Sequence, residues 1–461
     1  MYYNKYNVFF SLVNLTSLLY GYASGWTSSS LLTLQSSQDS PLVQGVMSQD
    51  ERSWVTSLFA LSGVLGTILY YFIANVLGRK YPLLSVAIPH GISWFLIEIA
   101  VYPWQLYVSR ALSGLASGGT FTIVPVFVAE ISESHIRGRL GSILMLSANA
   151  GFLLAFIASH FLNYHTIPYI GIVISIIYFL SLAFLPETPI FLLRKNNLQL
   201  AEKSFRFYRN IGSTENIPEI YNREWTDLKM RVNNMPKAEN KAIKMFGEIF
   251  KTRAGRRAFL IGVALILLHE LCGCFTMLNY TATIFRESGS SISPEFSAII
   301  LGAIQLFGTY IATFLVDRLG RKILLLCSST GTAFCLFILG VYSYLHNIGV
   351  DVKPYSWISI LSFSGMMFLA ACGIIPLMFV VIAEVMPEDV RSIGCTICFC
   401  LSWTLAFVMV KFFEPLAVTF GMHGWVFFFA MSTVMGTVFI IFMIPETKGR
   451  EFAEIAEILS R

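Results

Sequence analysis

The sequence predicts an all-α membrane protein with twelve transmembrane helices in two pseudo-symmetric six-helix bundles. Three observations predict this fold: the chain is too apolar to fold in water, long apolar stretches recur along it, and a set of short motifs occurs twice. Of its 461 residues, 55% are hydrophobic and 13% are charged, whereas soluble domains carry roughly 25% charged residues. The mean hydropathy is +0.66. Polar residues are therefore too few to cover a water-soluble core of this size.

Twelve apolar stretches are long enough to cross the hydrocarbon core of a membrane, which is roughly 30 Å thick and needs about 20 helical residues. Helices are favoured over a β-barrel, because the apolar runs are continuous and lack the two-residue alternation of barrel strands. The predicted spans, numbered 1 to 12 in chain order, are residues 8–28, 54–76, 82–102, 105–129, 140–160, 168–185, 258–283, 296–316, 322–345, 357–383, 392–412 and 424–444.

The spacing of these spans predicts four regions. They are an N-terminal six-helix bundle (1–185), a linker (186–257), a C-terminal six-helix bundle (258–445) and a tail (446–461). Apolar residues recur at helical spacing around 201–208 and 225–232, which predicts short amphipathic helices within the linker. A basic linker that touches anionic lipid head groups explains this composition, and a dedicated partner site is the alternative.

Lys and Arg are distributed unevenly between the two sides of the predicted membrane. Of the 32 Lys and Arg, most fall on the side that holds both termini and the linker. By the positive-inside rule this side faces the cytosol. The first span has one Lys before it and no small-residue cleavage site, so we expect it to be retained as a helix.

Three short motifs of the first half return in the same order in the second half. The copies are Gly78-Arg79-Lys80 and Gly320-Arg321-Lys322, the pair Glu130 and Arg137 and the pair Glu384 and Arg391, and Pro186-Glu187-Thr188 and Pro445-Glu446-Thr447. Each motif lies at the end of an apolar stretch. Such a repeat indicates a membrane protein made of two like halves with its binding site between them.

The eight cysteines all lie in predicted spans of the second half, where none is placed for an extracellular disulfide. Cys395, Cys398 and Cys400 are closely spaced, but no His or carboxylate accompanies them on the same span. Metal sites of this kind need such ligands or a fourth thiolate. We therefore expect no metal and no cofactor.

The motifs together resemble those of the sugar porters of the major facilitator superfamily, over nearly the whole chain. They are Gly78-Arg79-Lys80, residues 125–131 (Pro-Val-Phe-Val-Ala-Glu-Ile), Arg137-Gly138, Pro186-Glu187-Thr188-Pro189, residues 317–322 (Asp-Arg-Leu-Gly-Arg-Lys) and residues 445–449 (Pro-Glu-Thr-Lys-Gly). Residues 21–28, Ser53-Trp54 and the segments 403–407 and 411–413 resemble the insect branch of facilitated trehalose transporters. The resemblance implies the major facilitator fold and transport by alternating access.

Charged residues at the cytosolic ends of the spans form the predicted cytosolic gate. By resemblance, its members are Arg79, Glu130 and Arg137 in the first half and Asp317, Arg321, Glu384 and Arg391 in the second. They can pair across the halves or within each half when the gate is shut. Exposed pairs are worth about 0 to 1 kcal/mol each, so several together bias a two-state carrier without locking it. Topology markers that never separate are the alternative.

The residues that line the substrate site of sugar porters are changed in this chain. By resemblance, the predicted substrate-binding residues are Met145, His269, Glu270, Phe275, Gln305, Phe379, Ser402 and Trp403, on spans 5, 7, 8, 10 and 11. Sugar porters carry two glutamines and an asparagine on span 7, where this chain has His269, Glu270 and Phe275. Trp403 and Phe379 can still stack on the apolar face of a sugar. The hydroxyls would be recognised differently.

His269 and Glu270 are ionisable residues in the middle of a predicted span, where an unpaired charge costs about 2.5 to 3.5 kcal/mol on insertion scales. Glu270 can take a proton, a cationic substrate or a polar substrate, or it can be a protonated residue in a packing interface. By resemblance, proton-coupled sugar symporters carry an acid on span 1, where this chain has Ala23. Arg110 on span 4 then lacks its acidic partner.

These observations predict a facilitative uniporter of a sugar or sugar-like polyol in the plasma membrane. Two alternatives stay open: a proton-coupled solute carrier that uses Glu270, and a transporter-like sensor or carrier of a non-sugar solute. A channel fits the duplicated halves less well, and no nucleophile and base pattern indicates an enzyme. The expected partners are a small-molecule substrate and the lipid bilayer, with no nucleic acid, and the expected state is a monomer.

Overall fold

The computed structural model describes residues 11–36, 40–132, 137–211, 219–233, 247, 249–287, 292–387, 390–450 and 452–460. The helices of this part of the chain are α1 (Leu15–Leu34), α2 (Gln49–Leu77), α3 (Lys80–Glu98), α4 (Pro103–Ile131), α5 (Arg137–Phe161), α6 (Ile167–Ala183), α7 (Pro189–Arg194), α8 (Leu198–Tyr208), α9 (Glu219–Asn233), α10 (Arg253–Leu271), α11 (Cys274–Asn279), α12 (Thr281–Glu287), α13 (Pro294–Leu319), α14 (Arg321–Asn347), α15 (Ser356–Cys372), α16 (Ile374–Val385), α17 (Arg391–Met443) and α18 (Phe452–Ser460). We refer to α1–α6 as the first half and to α10–α17 as the second half.

Over the residues that the structure describes, all twelve predicted spans coincide with helices. Spans 1 to 6 correspond to α1–α6, spans 8 and 9 to α13 and α14, and spans 7 and 10 to broken helices. Spans 11 and 12 share α17, which turns at Gly421, where φ is +76°. Within the described residues, eight helical segments are long and apolar enough to cross a membrane, and α6 is a shorter apolar helix. The predicted boundaries differ from the observed ones by a few residues.

Glycines break spans 7 and 10 near their middle. Between α10 and α11, Gly273 has a φ of +78°, a conformation that disfavours any residue with a side chain, and a Cβ there would collide with the ring of Phe429. Between α15 and α16, a Cβ on Gly373 would collide with Ser328. The Ser328 hydroxyl instead accepts a hydrogen bond from the Ile374 amide at 3.0 Å. Irregular backbone of this kind is tolerated inside a membrane where protein or a cavity surrounds it.

Small residues let the helices of the first half approach closely. A Cβ on Gly66 of α2 would collide with the carbonyl of Leu115 on α4, and a Cβ on Gly118 would collide with the carbonyl of Gly63. Helix packing in membranes depends on such close backbone contacts, because within lipid the hydrophobic effect does not drive helices to associate. Between the halves, α2 packs on α17, α5 packs on α13, and α1 packs on α11 and α12.

The helices α7–α9 have a small hydrophobic core of their own. Its buried residues are Leu193, Ala201, Phe205, Tyr221, Trp225 and Val232. The amphipathic segments predicted around 201–208 and 225–232 coincide with α8 and α9. These helices are joined to the first half, because Arg209 donates to the Ile131 carbonyl of α4 at 3.1 Å. The Tyr208 hydroxyl also donates to the carbonyl of Pro186, just after α6, at 2.7 Å. The boundaries of the bundles, linker and tail stay predictions.

Candidate functional site

The repeated motifs lie at one end of the helices, which we call the motif end. In the first half, Arg79 Nε lies 3.0 Å from Glu130 Oε1, and both side chains are largely buried. The hydroxyl of Thr188 donates to Glu130 Oε2 at 2.5 Å. The Arg79 guanidinium also donates to the carbonyl of Ala74 in the last turn of α2. One carboxylate thus joins the α2–α3 turn to the segment that follows α6.

The second half repeats this arrangement. Arg321 Nη2 lies 2.9 Å from Glu384 Oε1, and the hydroxyl of Thr447 donates to Glu384 Oε2 at 2.6 Å. The Arg321 guanidinium donates to the carbonyl of Val316 at 3.3 Å, as Arg79 does to Ala74. The duplicated motifs therefore form the same contacts in both halves.

A second carboxylate in each motif set accepts hydrogen bonds from a helix N-terminus. Glu187 accepts from the backbone amides of residues 79–80 at 3.0 and 3.1 Å. Glu446 accepts from the amides of residues 321–322 at 2.9 and 3.1 Å. A carboxylate is favourable there, because the first amides of a helix have no partner within it and carry partial positive charge. Gly320 immediately precedes α14 and has a φ of +86°, and a Cβ on Gly320 would lie 2.7 Å from the Glu446 carboxylate.

The hydrogen bonds to Glu446 make its carboxyl more acidic. Burial alone would raise the pKa of Glu446, but hydrogen bonds from backbone amides outweigh burial and lower its pKa below the usual value. The donating amides belong to Lys448, Arg321, Lys322 and Thr447. The folded state therefore favours the ionised form, which stabilises the fold above the unfolded pKa of about 4.3. That stabilisation is lost as the pH falls through the lower, folded pKa.

Replacing Glu446 with glutamine is expected to lower the apparent thermal unfolding midpoint in detergent at neutral pH by about 1–2 °C. The physical reason is the loss of charge-assisted bonds at the start of α14. Because wild-type Glu446 itself becomes protonated in acid, the difference between the two proteins should shrink below about pH 4. Glu454→Gln, at an exposed position on α18, is the matched control. An equal difference at pH 7 and at acid pH would contradict the prediction.

Of the other predicted gate residues, the structure describes the side chain of Arg391. Arg391 donates to the carbonyl of Met386 at 3.3 Å. The side chains of Arg137 and Asp317 lie outside the described part of the structure. Among the side chains that are described, the ion pairs of the predicted gate each join residues of the same half. The role of these residues as a gate stays a prediction.

An aromatic cluster lies between the halves around Trp403 of α17. Its ring centroid is 6.2 Å from that of Tyr20, 6.1 Å from that of Phe59 and 6.2 Å from that of Phe121, all in the first half. Phe275 of the second half contacts the same ring edge-on at 6.5 Å. The indole therefore packs against side chains of both halves.

Two further contacts extend this cluster. Phe379 stacks on Phe121 across the halves with centroids 5.8 Å apart, and it contacts the ring of His269 at 6.3 Å. Next to the same indole, a Cβ on Gly63 of α2 would lie 2.6 Å from Trp403. Glycine at position 63 thus makes room for the indole against α2.

Glu270 is buried beside the cluster, with 3% of its side chain exposed. Its Oε1 accepts a hydrogen bond from the Ser402 hydroxyl at 2.6 Å and lies 3.1 Å from His269 Nδ1. Its Oε2 is buried and has no hydrogen-bond partner in the part of the chain that the structure describes. A buried acceptor without a partner costs about 1–3 kcal/mol, so this oxygen is suited to a ligand or a proton.

Gln305 forms a second polar contact between the halves. Its Nε2 donates to Asn149 Oδ1 of α5 at 2.9 Å, and Asn149 Nδ2 donates to the Thr309 hydroxyl at 2.7 Å. Gln305 Oε1 is buried and has no hydrogen-bond partner among the residues that the structure describes. Met145 precedes Asn149 by one helical turn and packs, half-buried, against the core.

The structure thus brings most of the predicted substrate-binding residues together. His269, Glu270, Phe275, Phe379, Ser402 and Trp403 form one connected network, whereas Gln305 and Met145 belong to the α5–α13 contact. Sequence reasoning missed Tyr20, Phe59, Phe121 and Asn149. Aromatic residues are common in apolar spans, so the three rings carried no signal, whereas the lone amide of Asn149 within span 5 could have been noticed.

Arg110 is fully buried in α4 without an acidic partner at position 23. Its guanidinium donates to the carbonyl of Ala23 at 2.6 Å and to the carbonyl of Val55 at 3.2 Å. It also lies 4.6 Å from the ring centroid of Phe59. Carbonyl oxygens and an aromatic face therefore accommodate the charge.

Ion pairs cross the halves at the end of the helices away from the motifs, which we call the closed end. Arg52 Nη2 of α2 lies 2.5 Å from Glu414 Oε1 of α17, with side chains 14% and 17% exposed. Lys411 Nζ donates to Asp50 Oδ1 at 2.8 Å and to the Ser53 hydroxyl at 2.7 Å. No motif or repeat indicated these pairs.

Hydrogen bonds between α1 and α12 join the halves at the same end. The hydroxyl of Ser28 accepts from the Ala282 amide at 3.0 Å, and Arg286 donates to Gln35 at 2.6 Å. Together with the ion pairs, these contacts hold the two halves together at the closed end.

Two like bundles of membrane-spanning helices, with partly unsatisfied polar groups between them, define the class of two-bundle membrane transporters. Residues 10–459 match the family described as "Sugar (and other) transporter". The chain belongs to this family, as the sequence motifs predicted, and it is a transporter rather than an enzyme.

Two insect proteins are among the curated relatives of this chain. The chain is 31% identical to the facilitated trehalose transporter Tret1 of Bombyx mori, over 96% of this chain and 84% of the relative. It is 30% identical to Tret1 of Polypedilum vanderplanki, over 96% of this chain and 86% of the relative. The predicted resemblance to the insect branch is confirmed.

Solved structures with the same fold include the proton:xylose symporter XylE bound to 6-bromo-6-deoxy-D-glucose, with a TM-score of 0.78, 20% identity and full coverage of both chains. An inward-open structure of the xylose transporter XylE from E. coli has a TM-score of 0.79 at 19% identity, covering 98% of this chain and 99% of the other. At these identities the likeness shows the fold alone. It confirms the predicted major facilitator fold.

Proposed function

We propose that this chain is a facilitative carrier of a sugar or sugar-like polyol that works by alternating access. In this proposal the bundles 1–185 and 258–445 rock about a site at the aromatic cluster, the motif end faces the cytosol with both termini, and the closed end faces outward. The protein acts as a monomer in the plasma membrane. The insect relatives named as trehalose transporters support the substrate class.

The observation that carries the proposal is the composition of the site between the halves. Ligand sites of small molecules are mostly apolar and hold a few placed polar groups. Here the rings of Trp403 and Phe379 offer apolar faces. Glu270 Oε2 and Gln305 Oε1 offer two buried acceptors without partners. A sugar presents an apolar ring face and several hydroxyl donors, which match these groups.

The contacts of Arg110 favour transport without proton coupling. Carbonyl oxygens of Ala23 and Val55 hold its guanidinium, so no carboxylate at this position has to gain or lose a proton during transport. A specific observation favours the second candidate, a proton-coupled carrier: Glu270 is buried beside His269 and keeps one oxygen without a partner.

Counterflow in liposomes tests the function. Purified protein is reconstituted, preloaded with unlabelled solute and given radiolabelled trehalose, glucose, sorbitol or an amino acid. We expect counterflow of at least one sugar or polyol, unchanged by an inward proton gradient. Accumulation that needs the gradient and collapses in Glu270→Gln would support the proton-coupled alternative.

The same panel addresses the remaining alternatives. Binding of a sugar without any counterflow would support a sensor. Counterflow of the amino acid alone would contradict the sugar proposal, and counterflow of glucose alone would contradict the inferred effect of the changed residues on span 7.

A further inference from the structure

A cavity lies in the second half at the closed end, and none of its lining residues belongs to the aromatic cluster. Its volume is about 220 Å³. It lies where α12, α14, α15 and the part of α17 after Gly421 meet. The lining residues are Ile284, Leu339, Tyr342, Ser343, His346, Asn347, Ser359, Met422, His423 and Val426.

Two polar side-chain atoms of this cavity are buried without a hydrogen-bond partner among the described residues. Ser359 is fully buried, and its hydroxyl has no hydrogen-bond partner. His423 Nδ1 is also buried without a partner. Glycine at position 421 leaves room for this ring, because a Cβ on Gly421 would lie 2.6 Å from His423 Cε1. Buried polar groups of this kind cost about 1–3 kcal/mol each, so a ligand that pairs them is favoured.

The lining determines the chemistry of a suitable ligand. Among the described residues, no Lys, Arg, Asp or Glu lines the cavity, so these residues offer an ion no counter-charge. Hydroxyl, amide and imidazole groups supply both donors and acceptors, while Ile284 and Leu339 supply an apolar wall. Two imidazoles fall short of the three or four protein ligands of a zinc site. The volume is below the roughly 300–1,000 Å³ of drug-sized pockets.

We propose that this cavity is a second binding site, for a neutral polyhydroxylated solute no larger than about one hexose. His346 and Asn347 are exposed at the end of α14, so the solute enters from the aqueous phase at the closed end. The cavity is separate from the proposed transport site at the aromatic cluster. This proposal therefore does not depend on the proposed transport activity.

Occupancy of this cavity is linked to the contacts between the halves. Ile284 of α12 forms part of its wall, and the neighbouring residues Ala282 and Arg286 bond to α1. A ligand that contacts α12 in this position binds the closed arrangement more tightly than an arrangement in which α12 has moved. Binding therefore stabilises the closed end.

Chemical modification of histidine tests the proposal on the full chain in detergent. Diethyl pyrocarbonate is added with or without sorbitol or glucose, and modification of each histidine is followed by mass spectrometry. At a sorbitol or glucose concentration of about four times the Kd, the site is about four-fifths occupied, and modification of His423 is expected to slow roughly fivefold. His165, which is 60% exposed in the first half, should react equally in all conditions. Gluconate, a charged analogue, should not protect.

Variants of the lining separate ligand binding from a structural effect. Ser343→Phe fills the mouth of the cavity at a half-buried position, and Ser359→Ala removes the unpartnered hydroxyl. Both should reduce protection by sorbitol in protein whose thermal unfolding midpoint is preserved. Ser362→Ala is the matched control, because Ser362 lies on the same helix but already donates to the Ile358 carbonyl at 2.6 Å. It should leave protection unchanged.

Two results would overturn the proposal. The first is equal modification of His423 with and without saturating sorbitol and glucose in folded protein, which would mean that the cavity holds only water. The second is protection by micromolar zinc but not by either polyol, which would assign the imidazoles to a metal.

Discussion

Trp403→Ala is expected to lower the kcat/KM of counterflow by about thirtyfold or more. Truncating a buried aromatic anchor costs about 2 kcal/mol or more, and each 1.4 kcal/mol corresponds to a factor of ten. Trp403 contacts Tyr20, Phe59 and Phe121 of the first half and Phe275 of the second. The substitution therefore removes both a stacking surface for the substrate and the main aromatic contact between the halves.

Trp403→Phe is the control for this prediction. It keeps an aromatic face for stacking but has a smaller ring, so we expect it to retain more activity than alanine. Initial rates across a range of substrate concentrations separate KM from kcat, and thermal unfolding checks that both variants are folded. A folded Trp403→Ala protein with a kcat/KM within about threefold of wild type would contradict the proposed site, since that is under 0.7 kcal/mol.

Arg52→Glu is expected to open the closed end. In the structure Arg52 pairs with Glu414 across the halves, and both side chains are mostly shielded from water. The substitution puts two carboxylates side by side, which disfavours the closed arrangement. We expect the ratio of closed to open molecules to fall by a factor of about 5 to 150, the range of coupling energies of 1–3 kcal/mol.

Spin labels measure this change. Labels at Val46 and Phe420, both exposed near the closed end, should move apart in Arg52→Glu, in a background where the exposed Cys327 is replaced by serine. The reversed pair, Arg52→Glu with Glu414→Arg, should restore the short distance.

Asp50→Asn provides the matched control for the closed end. Asp50 pairs with Lys411, but its side chain is 77% exposed, and exposed pairs contribute about 0–1 kcal/mol. We therefore expect little change in the label distance. If Arg52→Glu left the distance distribution unchanged, the pair with Glu414 would not hold the halves together.

The repeated motifs show how much of the molecule could be predicted from the sequence. Two copies of one motif set predicted two like halves, and Arg79 and Arg321 do form the same contacts with Glu130 and Glu384. The contact itself could not be predicted from local pattern, because Arg79 and Glu130 are 51 residues apart in the chain and only tertiary packing brings their side chains together.

The candidate site was predicted in part. His269 and Glu270 stood out as ionisable residues in an apolar span, because such residues are costly in a membrane. Their bond to Ser402, which is distant in sequence, was not predictable from either position. The break at Gly273 was also not predicted, since a glycine within an apolar helix has many roles.

The sequence by itself determined the class of protein, the twelve helices, the two like halves and the residues that bear unusual chemistry. These properties follow from local composition, because a backbone in lipid must satisfy its own hydrogen bonds and an apolar stretch of sufficient length does so as a helix. The tertiary structure alone decided which side chains meet between the halves: Trp403 with Tyr20, and Arg52 with Glu414. These contacts depend on close packing between segments far apart in the chain, which no local pattern encodes.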